Sequence, residues 1–408
     1  MGVGERMVAR SPGITRCPLC GCTDLVPVSE IPDVPVFCNV LWPSAAAACG
    51  APRGDISLCY CPSCTHLHNR SFDATQVEYQ PDYENSLHFS ERFNEFASAL
   101  ARRLVQTHDL RESTVVDLGC GRGDFLRLVC AEGARHGIGF DPSYSEAAPS
   151  DGAGEGLGVE ILPREFGPRD HHLTPDLVCC RHVLEHVVDP RGFVADLHSW
   201  LVDHSSETIL YFEVPNARYT LEQGGIWDLI YEHHSYFTLE SLSRLFFDTG
   251  FDVLAAGQAF GGQYIYLEAK VSSAPSRGAA ARRDAASLRA LELSVESFGQ
   301  AFESHLDRWK HRLREAGAAR KSISVWGAGS KGVTFLNAVD QDHSVRSVID
   351  ISPRKHGKFV PGTGHRVAPP SALVGNACDT LIVMNPLYTT EIRTMLNKLG
   401  ITCDIECA

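Results

Sequence analysis

One run constrains the fold of this 408-residue chain more than any other: Thr114-Val-Val-Asp-Leu-Gly-Cys-Gly-Arg-Gly-Asp-Phe-Leu-Arg-Leu-Val129. Val115 to Leu118 reads as a buried strand, Gly119, Gly121 and Gly123 as a turn, and Phe125 onward as a helix. A second strand, His136-Gly-Ile-Gly-Phe-Asp141, ends in an acid eighteen residues past Gly123. Glycines let a backbone approach a ligand closely, and an acid ending the next strand bonds ribose hydroxyls. The pattern therefore predicts a Rossmann-type nucleotide site in an α/β domain. A purely structural glycine turn is the alternative, and the ordered turn, acid and strands argue against it.

The spacing separates two cofactors. Dinucleotide sites favour G-x-G-x-x-G, whereas this loop reads Asp117-x-Gly119-x-Gly121-x-Gly123. That form resembles motif I of class I S-adenosylmethionine (SAM) methyltransferases. SAM has no pyrophosphate, so the loop need only make room for its methionine part. Pro175-Asp-Leu-Val-Cys-Cys-Arg-His-Val-Leu-Glu-His186 looks like the fourth strand and following loop of that family, and Leu210 to Pro215 like the next strand. The resemblance implies that SAM is held by Asp117, Gly119, Gly121, Gly123, Asp141 and His182.

Cysteine usage points to a second feature. No apolar run is long enough for a signal peptide or a membrane span, so a cytoplasmic chain with reduced thiols is expected. Of the 15 Cys, eight lie before residue 65. Cys17-Pro-Leu-Cys20 and Cys61-Pro-Ser-Cys64 are two C-x-x-C knuckles, which together complete a tetrahedral Cys₄ site. Four thiolates leave no open position, so the predicted Zn²⁺ is structural. The long gap between knuckles costs little loop entropy, and so small a segment needs such a staple. Two coincidental turns with buried thiols are the plainer alternative. Cys22 and Cys59 stand two residues from ligands, and Cys38 and Cys49 read as loop or core residues.

Ile230-Tyr-Glu-His-His-Ser-Tyr-Phe237 follows the strand Leu210 to Pro215 and packs polar and aromatic groups densely. Strand carboxyl ends face the ligand crevice of an open α/β sheet, and a histidine suits proton abstraction near neutral pH. Glu232 can orient an imidazole; the bland reading is an aromatic plug with a satisfied histidine. The order of a Cys₄ module, a SAM domain, Glu-His-x-Ser-Tyr-Phe and a third domain resembles the deoxysugar C-methyltransferases of antibiotic biosynthesis. Those enzymes methylate a ring carbon of a nucleotide-linked 4-ketosugar. The family motif runs Tyr-His-Glu-His-x-Ser-Tyr-Phe, and its second His is the proposed base. Glu232 and His233 match it, whereas Ile230 and Tyr231 replace its Tyr and first His. The resemblance implies His233 as base, Glu232 beside it, and Tyr83 as a substrate-facing tyrosine.

The last third carries a second nucleotide-type signature. A linker-like run follows Val271, and a helical pattern extends from Leu288 to about Ala316. Ile323-Ser-Val-Trp-Gly-Ala-Gly-Ser-Lys-Gly332 is a true G-x-G-x-x-G after a strand, with Asp350 eighteen residues on. Alone it would suit NAD, and an NAD-dependent reductase is one rival function. Lys331 and Lys355, beside further glycines, would instead hold a diphosphate. In the resembling family this domain is a second Rossmann-like unit that helps hold the nucleotide-sugar. Gly327 to Gly332 then serves substrate binding or only packing, and Asn385-Pro386 lines the same cleft.

The expected organisation is a zinc module over 1–75, a SAM-dependent methyltransferase domain over 76–270 and a Rossmann-like substrate domain over 271–408. The leading function is C-methylation of a nucleotide-linked, TDP-type 4-keto deoxysugar; O- or N-methylation of a small polar metabolite is a further rival. With 37 basic and 50 acidic residues the net charge is −13, which disfavours a nucleic-acid binder. The resemblance implies a small nucleotide-sugar as partner; neither nucleic acid nor membrane is expected, and the chain is expected to be a monomer or homodimer.

Overall fold

The computed structural model describes residues 13–77, 83, 85–145, 157–273, 285–340, 342–376 and 378–408. Most of the linker-like run after Val271 lies outside them. Strands β1 (Val26–Pro35), β2 (Arg53–Tyr60) and β3 (Leu67–Asn69) pair antiparallel, with the short helix α1 (Ala45–Cys49) between the first two.

The central segment opens with α2 (Glu91–Thr107), whose capping Ser90 side chain accepts from the amide of Phe93. Phe93, Ala97, Leu100 and Leu104 recur at three or four residues and are all buried, which is why this run is a helix packed on one face. Then come β4 (Thr114–Leu118), α3 (Asp124–Ala131), β5 (His136–Phe140), β6 (Val159–Leu162) and β7 (Leu177–Arg181). Helix α4 (Pro190–His204) starts on an Asp189 cap with proline at its first position. It leads to β8 (Ile209–Pro215), α5 (Ala217–Gln223), β9 (Ser235–Tyr236), α6 (Leu239–Asp248), β10 (Phe251–Ala259) and β11 (Tyr264–Val271). Seven of these strands form one sheet in the order β10-β11-β8-β7-β4-β5-β6. It is parallel from β6 to β8, and β11 runs antiparallel to both its neighbours. The order reverses between β4 and β7.

Beyond it lies α7 (Ala285–Ala318), 34 residues long. The remaining elements are β12 (Ile323–Trp326), α8 (Ser330–Val339), β13 (Val345–Ile349), β14 (Val367–Ala368), β15 (Thr380–Val383), α9 (Thr389–Lys398) and β16 (Asp404–Cys407). Their sheet is entirely parallel, ordered β14-β13-β12-β15-β16, and reverses between β12 and β15. The α/β class, the Cys₄ module and both Rossmann-like units expected from the sequence are present. No described helix is long and apolar enough to cross a membrane.

The first sheet is not closed by its own segment. β9, from the central segment, adds to β3 as a fourth strand, pairing Leu67 with Tyr236. Leu291, Val295, Phe298, Phe302, Leu306 and Leu313 make a buried stripe along α7, in one core with Ile31, Val34, Ile56 and Leu58 of the first sheet. A Cβ on Gly299 would lie 2.7 Å from the carbonyl of Val28, so glycine there lets α7 touch β1. The same core continues into Val325, Val333 and Phe335 of the last domain. The knuckle cysteines instead pack with Phe237, Leu242 and Phe246 in the core on one face of the seven-stranded sheet. The first module is thus split between two cores.

Candidate active site

Cys17, Cys20, Cys61 and Cys64 each place a sulfur within 4.8 Å of the others, with Cys17 and Cys64 3.4 Å apart and Cys20 and Cys61 3.6 Å apart. The two knuckles meet as their spacing predicts, and the set fits one tetrahedral ion. Cys22 stands apart on the Asp24 carbonyl, Cys38 and Cys59 are buried, and Cys49 is exposed.

A cavity of about 1000 Å³ is lined from both Rossmann-like units. On one side are the glycine turn after β4, Asp141 after β5, and His182 and His186 after β7. On the other are Gly327 to Gly332 after β12 and Asp350 after β13. Two switch points, the usual ligand crevices of open α/β sheets, therefore face one space. Its volume matches the upper end of ordinary ligand pockets, ~300–1,000 Å³.

Gly121 has φ +56°, and a Cβ built there meets nothing within 4 Å. The turn conformation requires glycine, and the bare backbone leaves the space a cofactor would fill. Its amide donates to Asp141 Oδ2 at 2.7 Å, while Ser143 donates to Oδ1 through both its amide, at 2.8 Å, and its hydroxyl. Asp117 is buried at the end of β4; burial raises its pKa to about 7, against the pull of Arg181 and with added repulsion from Asp141. Arg181 makes two bonds to Glu213 Oε1, at 3.0 and 2.8 Å. Burial would raise the Glu213 pKa, but Arg181 and then His182 hold it at about 2. His182 sits at φ +56° with its ring edge-on to Tyr264 at 4.4 Å, on the cavity wall.

The 230–237 loop divides its groups between two sides. His233 lines the cavity, and its ring lies 4.8 Å from that of His186. Burial, then the neighbouring His186 and His182, push its pKa well below the ordinary range, so the imidazole is neutral and keeps its lone pair. Glu232 turns the other way. Its Oε2 accepts the Cys38 amide at 2.8 Å, and the Tyr83 hydroxyl bonds the same carboxylate. Burial holds its pKa up at about 7. The sequence reading has Glu232 orienting an imidazole; instead its main-chain carbonyl faces His186 Nδ1 at 3.0 Å, and its carboxylate places Tyr83. Tyr83 also receives a 3.2 Å bond from Asn39, and both line the cavity. His234 is buried against Phe72, 5.2 Å between rings, away from the cavity.

The last domain repeats the first one's device. Asp350 Oδ2 accepts the Ala328 amide of the glycine turn at 2.7 Å, and its Oδ1 accepts the Ser352 amide at 2.8 Å. Lys355 Nζ lies 3.4 Å from Asp350 and is nearly buried. Lys331, read from sequence as a diphosphate-holding lysine, pairs with Asp228 at 2.8 Å. Both ammonium groups remain on the cavity wall.

Two family models match in tandem: a methyltransferase domain over residues 88–256 and a C-methyltransferase C-terminal domain over residues 268–401. The chain belongs to the SAM-dependent C-methyltransferases. The methyltransferase is 24% identical over 396 residues to C-methyltransferase NovU of Streptomyces niveus, covering 93% of this chain and 91% of the relative. It is also similar to the solved structure of 1,6-didemethyltoxoflavin-N1-methyltransferase from Burkholderia thailandensis, at 15% identity and TM-score 0.34 over 45% of this chain and 81% of that one. A second such structure is magnesium protoporphyrin IX methyltransferase from Synechocystis, at 18% identity and TM-score 0.34 over 44% and 84%. The reductase alternative lapses, because Gly327 to Gly332 lie inside the C-methyltransferase C-terminal domain.

His186, Glu185 and Asn39 of the methyltransferase are site residues that the sequence reading does not single out. His186 closes the 175–186 run four residues after His182, a spacing that marks it in the sequence. Nothing local marks Asn39, which reaches the cavity from a different module.

Proposed function

We propose that this methyltransferase transfers a methyl group to the carbon beside the ketone of a nucleotide-linked 4-keto deoxysugar, carried by TDP. The observation that supports this most is the single cavity walled by two nucleotide-type strand ends, with a neutral histidine between them. Asp117, Gly119, Gly121, Gly123, Asp141 and His182 would hold SAM, and Cys17, Cys20, Cys61 and Cys64 a structural Zn²⁺. When bound, SAM supplies an electrophilic methyl for a carbon nucleophile. The last domain would hold the nucleotide diphosphate, with Lys331, Lys355 and the Gly327 to Gly332 turn against the phosphates.

His233 takes the proton from the carbon next to the ketone, and the C–H electron pair moves onto the carbonyl oxygen as an enolate. Tyr83, whose hydroxyl accepts from Asn39 and donates to the Glu232 carboxylate, would stand on the cavity wall as the substrate-facing tyrosine. Enclosure within one cavity would hold that carbon close to the methyl that SAM supplies. Resemblance to the deoxysugar C-methyltransferases and the name of the NovU relative support carbon as the acceptor.

The test is incubation with SAM and a panel of TDP-linked 4-ketosugars, read by mass and carbon NMR. A new C–CH₃ resonance on a ring carbon is expected. A methyl on oxygen, or no product from any sugar, overturns the proposal.

A further inference from the structure

Glu185, His186 and His233 each present one ligand atom within 4.8 Å of the others, on the cavity wall. Glu185 is 2% exposed, and its Oε2 is without a hydrogen-bond partner among the described residues. A buried carboxylate oxygen that meets no donor is costly, and a cation beside it removes that cost. His186 Nδ1 lies 3.0 Å from the Glu232 carbonyl, so that nitrogen carries the proton and the lone pair falls on Nε2. Metal-ligating histidines are oriented by such a carbonyl on their other nitrogen. Two imidazoles and a carboxylate are the donors of borderline cations such as Zn²⁺, Co²⁺ and Ni²⁺. Metal bonds of about 2.1 Å set tetrahedral ligands about 3.4 Å apart, a contraction that side-chain torsions supply. Three protein ligands leave a further position open, here toward the cavity.

We propose that Glu185, His186 and His233 bind a borderline divalent cation in the substrate cavity, and that its occupancy silences methyl transfer by taking the lone pair of His233. The silencing rests on His233 being the base; the binding does not. This second site is chemically distinct from the Cys₄ cluster, since it holds no sulfur.

The experiment titrates the full-length, zinc-loaded protein with cobalt(II) chloride while following visible absorption and turnover. Cobalt bound by nitrogen and oxygen gives d–d bands without the sulfur-to-cobalt charge-transfer band that the Cys₄ site would add. We expect one such equivalent, turnover falling along the same titration and returning on dialysis. Glu185→Gln and His186→Asn should each weaken cobalt affinity tenfold or more, about the loss that metal-site disruption brings. A retained zinc equivalent in each variant reports that the fold survives. Cobalt spectra of thiolate type only, or variants that bind as the unaltered protein does, overturn the site. Saturated d–d bands with unchanged or increased turnover overturn the silencing. Should His233→Ala lose cobalt and keep its turnover, the base assignment falls and takes the silencing with it. Should His233→Ala lose turnover in a protein that binds no cobalt, only the metal site falls.

Discussion

Asp117 shows how far burial alone moves one carboxyl. Its pKa of about 7 stands well above the ordinary 3.8, so the folded chain keeps a proton that the unfolded chain has released. The stabilisation from that proton is complete below pH 4 and disappears as pH rises through 7. Asp117→Asn should therefore flatten the fall in melting temperature across that window, with an energy on the order of 4 kcal/mol at most, from about three pKa units at 1.36 kcal/mol each. Equal slopes in both proteins would show that Asp117 does not titrate there. At His233 the expectation concerns rate: His233→Ala should lose turnover by about 100-fold or more, the usual worth of a general base, while SAM affinity by calorimetry is kept. Unchanged turnover would remove it as base. The glycine turn and Asp141 were legible because each sits at a strand end in a recognisable spacing, and His233 because its loop resembles a family motif. The turning away of Glu232 was not, since its partners Cys38 and Asn39 lie about two hundred residues earlier and no local pattern announces them.

At the scale of elements, the loop that carries His233 hangs on the metal module. β9 pairs with β3, the Asn69 amide donates to the His234 carbonyl at 3.0 Å, and Tyr231 accepts from the Asp73 amide at 3.0 Å. At its end Thr238 meets Thr65, 3.1 Å between hydroxyls, directly after Cys64. Cys61→Ser should lose the bound ion, about one zinc per chain by metal analysis, and lower turnover more than SAM affinity. Thr238→Val should keep the zinc and still lower kcat, at a stability cost of about 1 kcal/mol from the lost α6 cap. Thr238→Ser should restore both. Equal kcat in the valine variant would sever the link between knuckle and base. Periodicity made α2 and α7 legible, because each carries a buried stripe over many turns. β9 has two residues, too few to show an alternation, and becomes a strand only because β3 is beside it.

For the whole molecule, a net charge of −13 conceals a cavity wall that carries Lys331 and Lys355. Composition reports the surface sum and is blind to which side chains converge, so the two-sided cavity lay beyond it. Where the two Rossmann-like units meet, Gln263 and Asn385 exchange a pair of 2.9 Å hydrogen bonds, and Glu391 accepts the Ser90 hydroxyl at 2.6 Å and the Glu91 amide at 3.0 Å at the start of α2. If the proposed nucleotide-sugar is the substrate, Asn385→Ala should raise its KM several-fold and leave SAM affinity alone, because it loosens the last domain's wall and not the glycine turn after β4; an unchanged KM in steady-state assays would contradict this. The division of the first module between two cores has a mechanical meaning. Its knuckles belong to the SAM-side body, and its sheet, through α7, to the body that carries the last domain. The module therefore shares a core with each body and ties the two walls of the cavity together. An ion held by the four knuckle cysteines would brace the SAM-side end of that tie, so its removal would loosen the seam between the bodies as well as the smallest part.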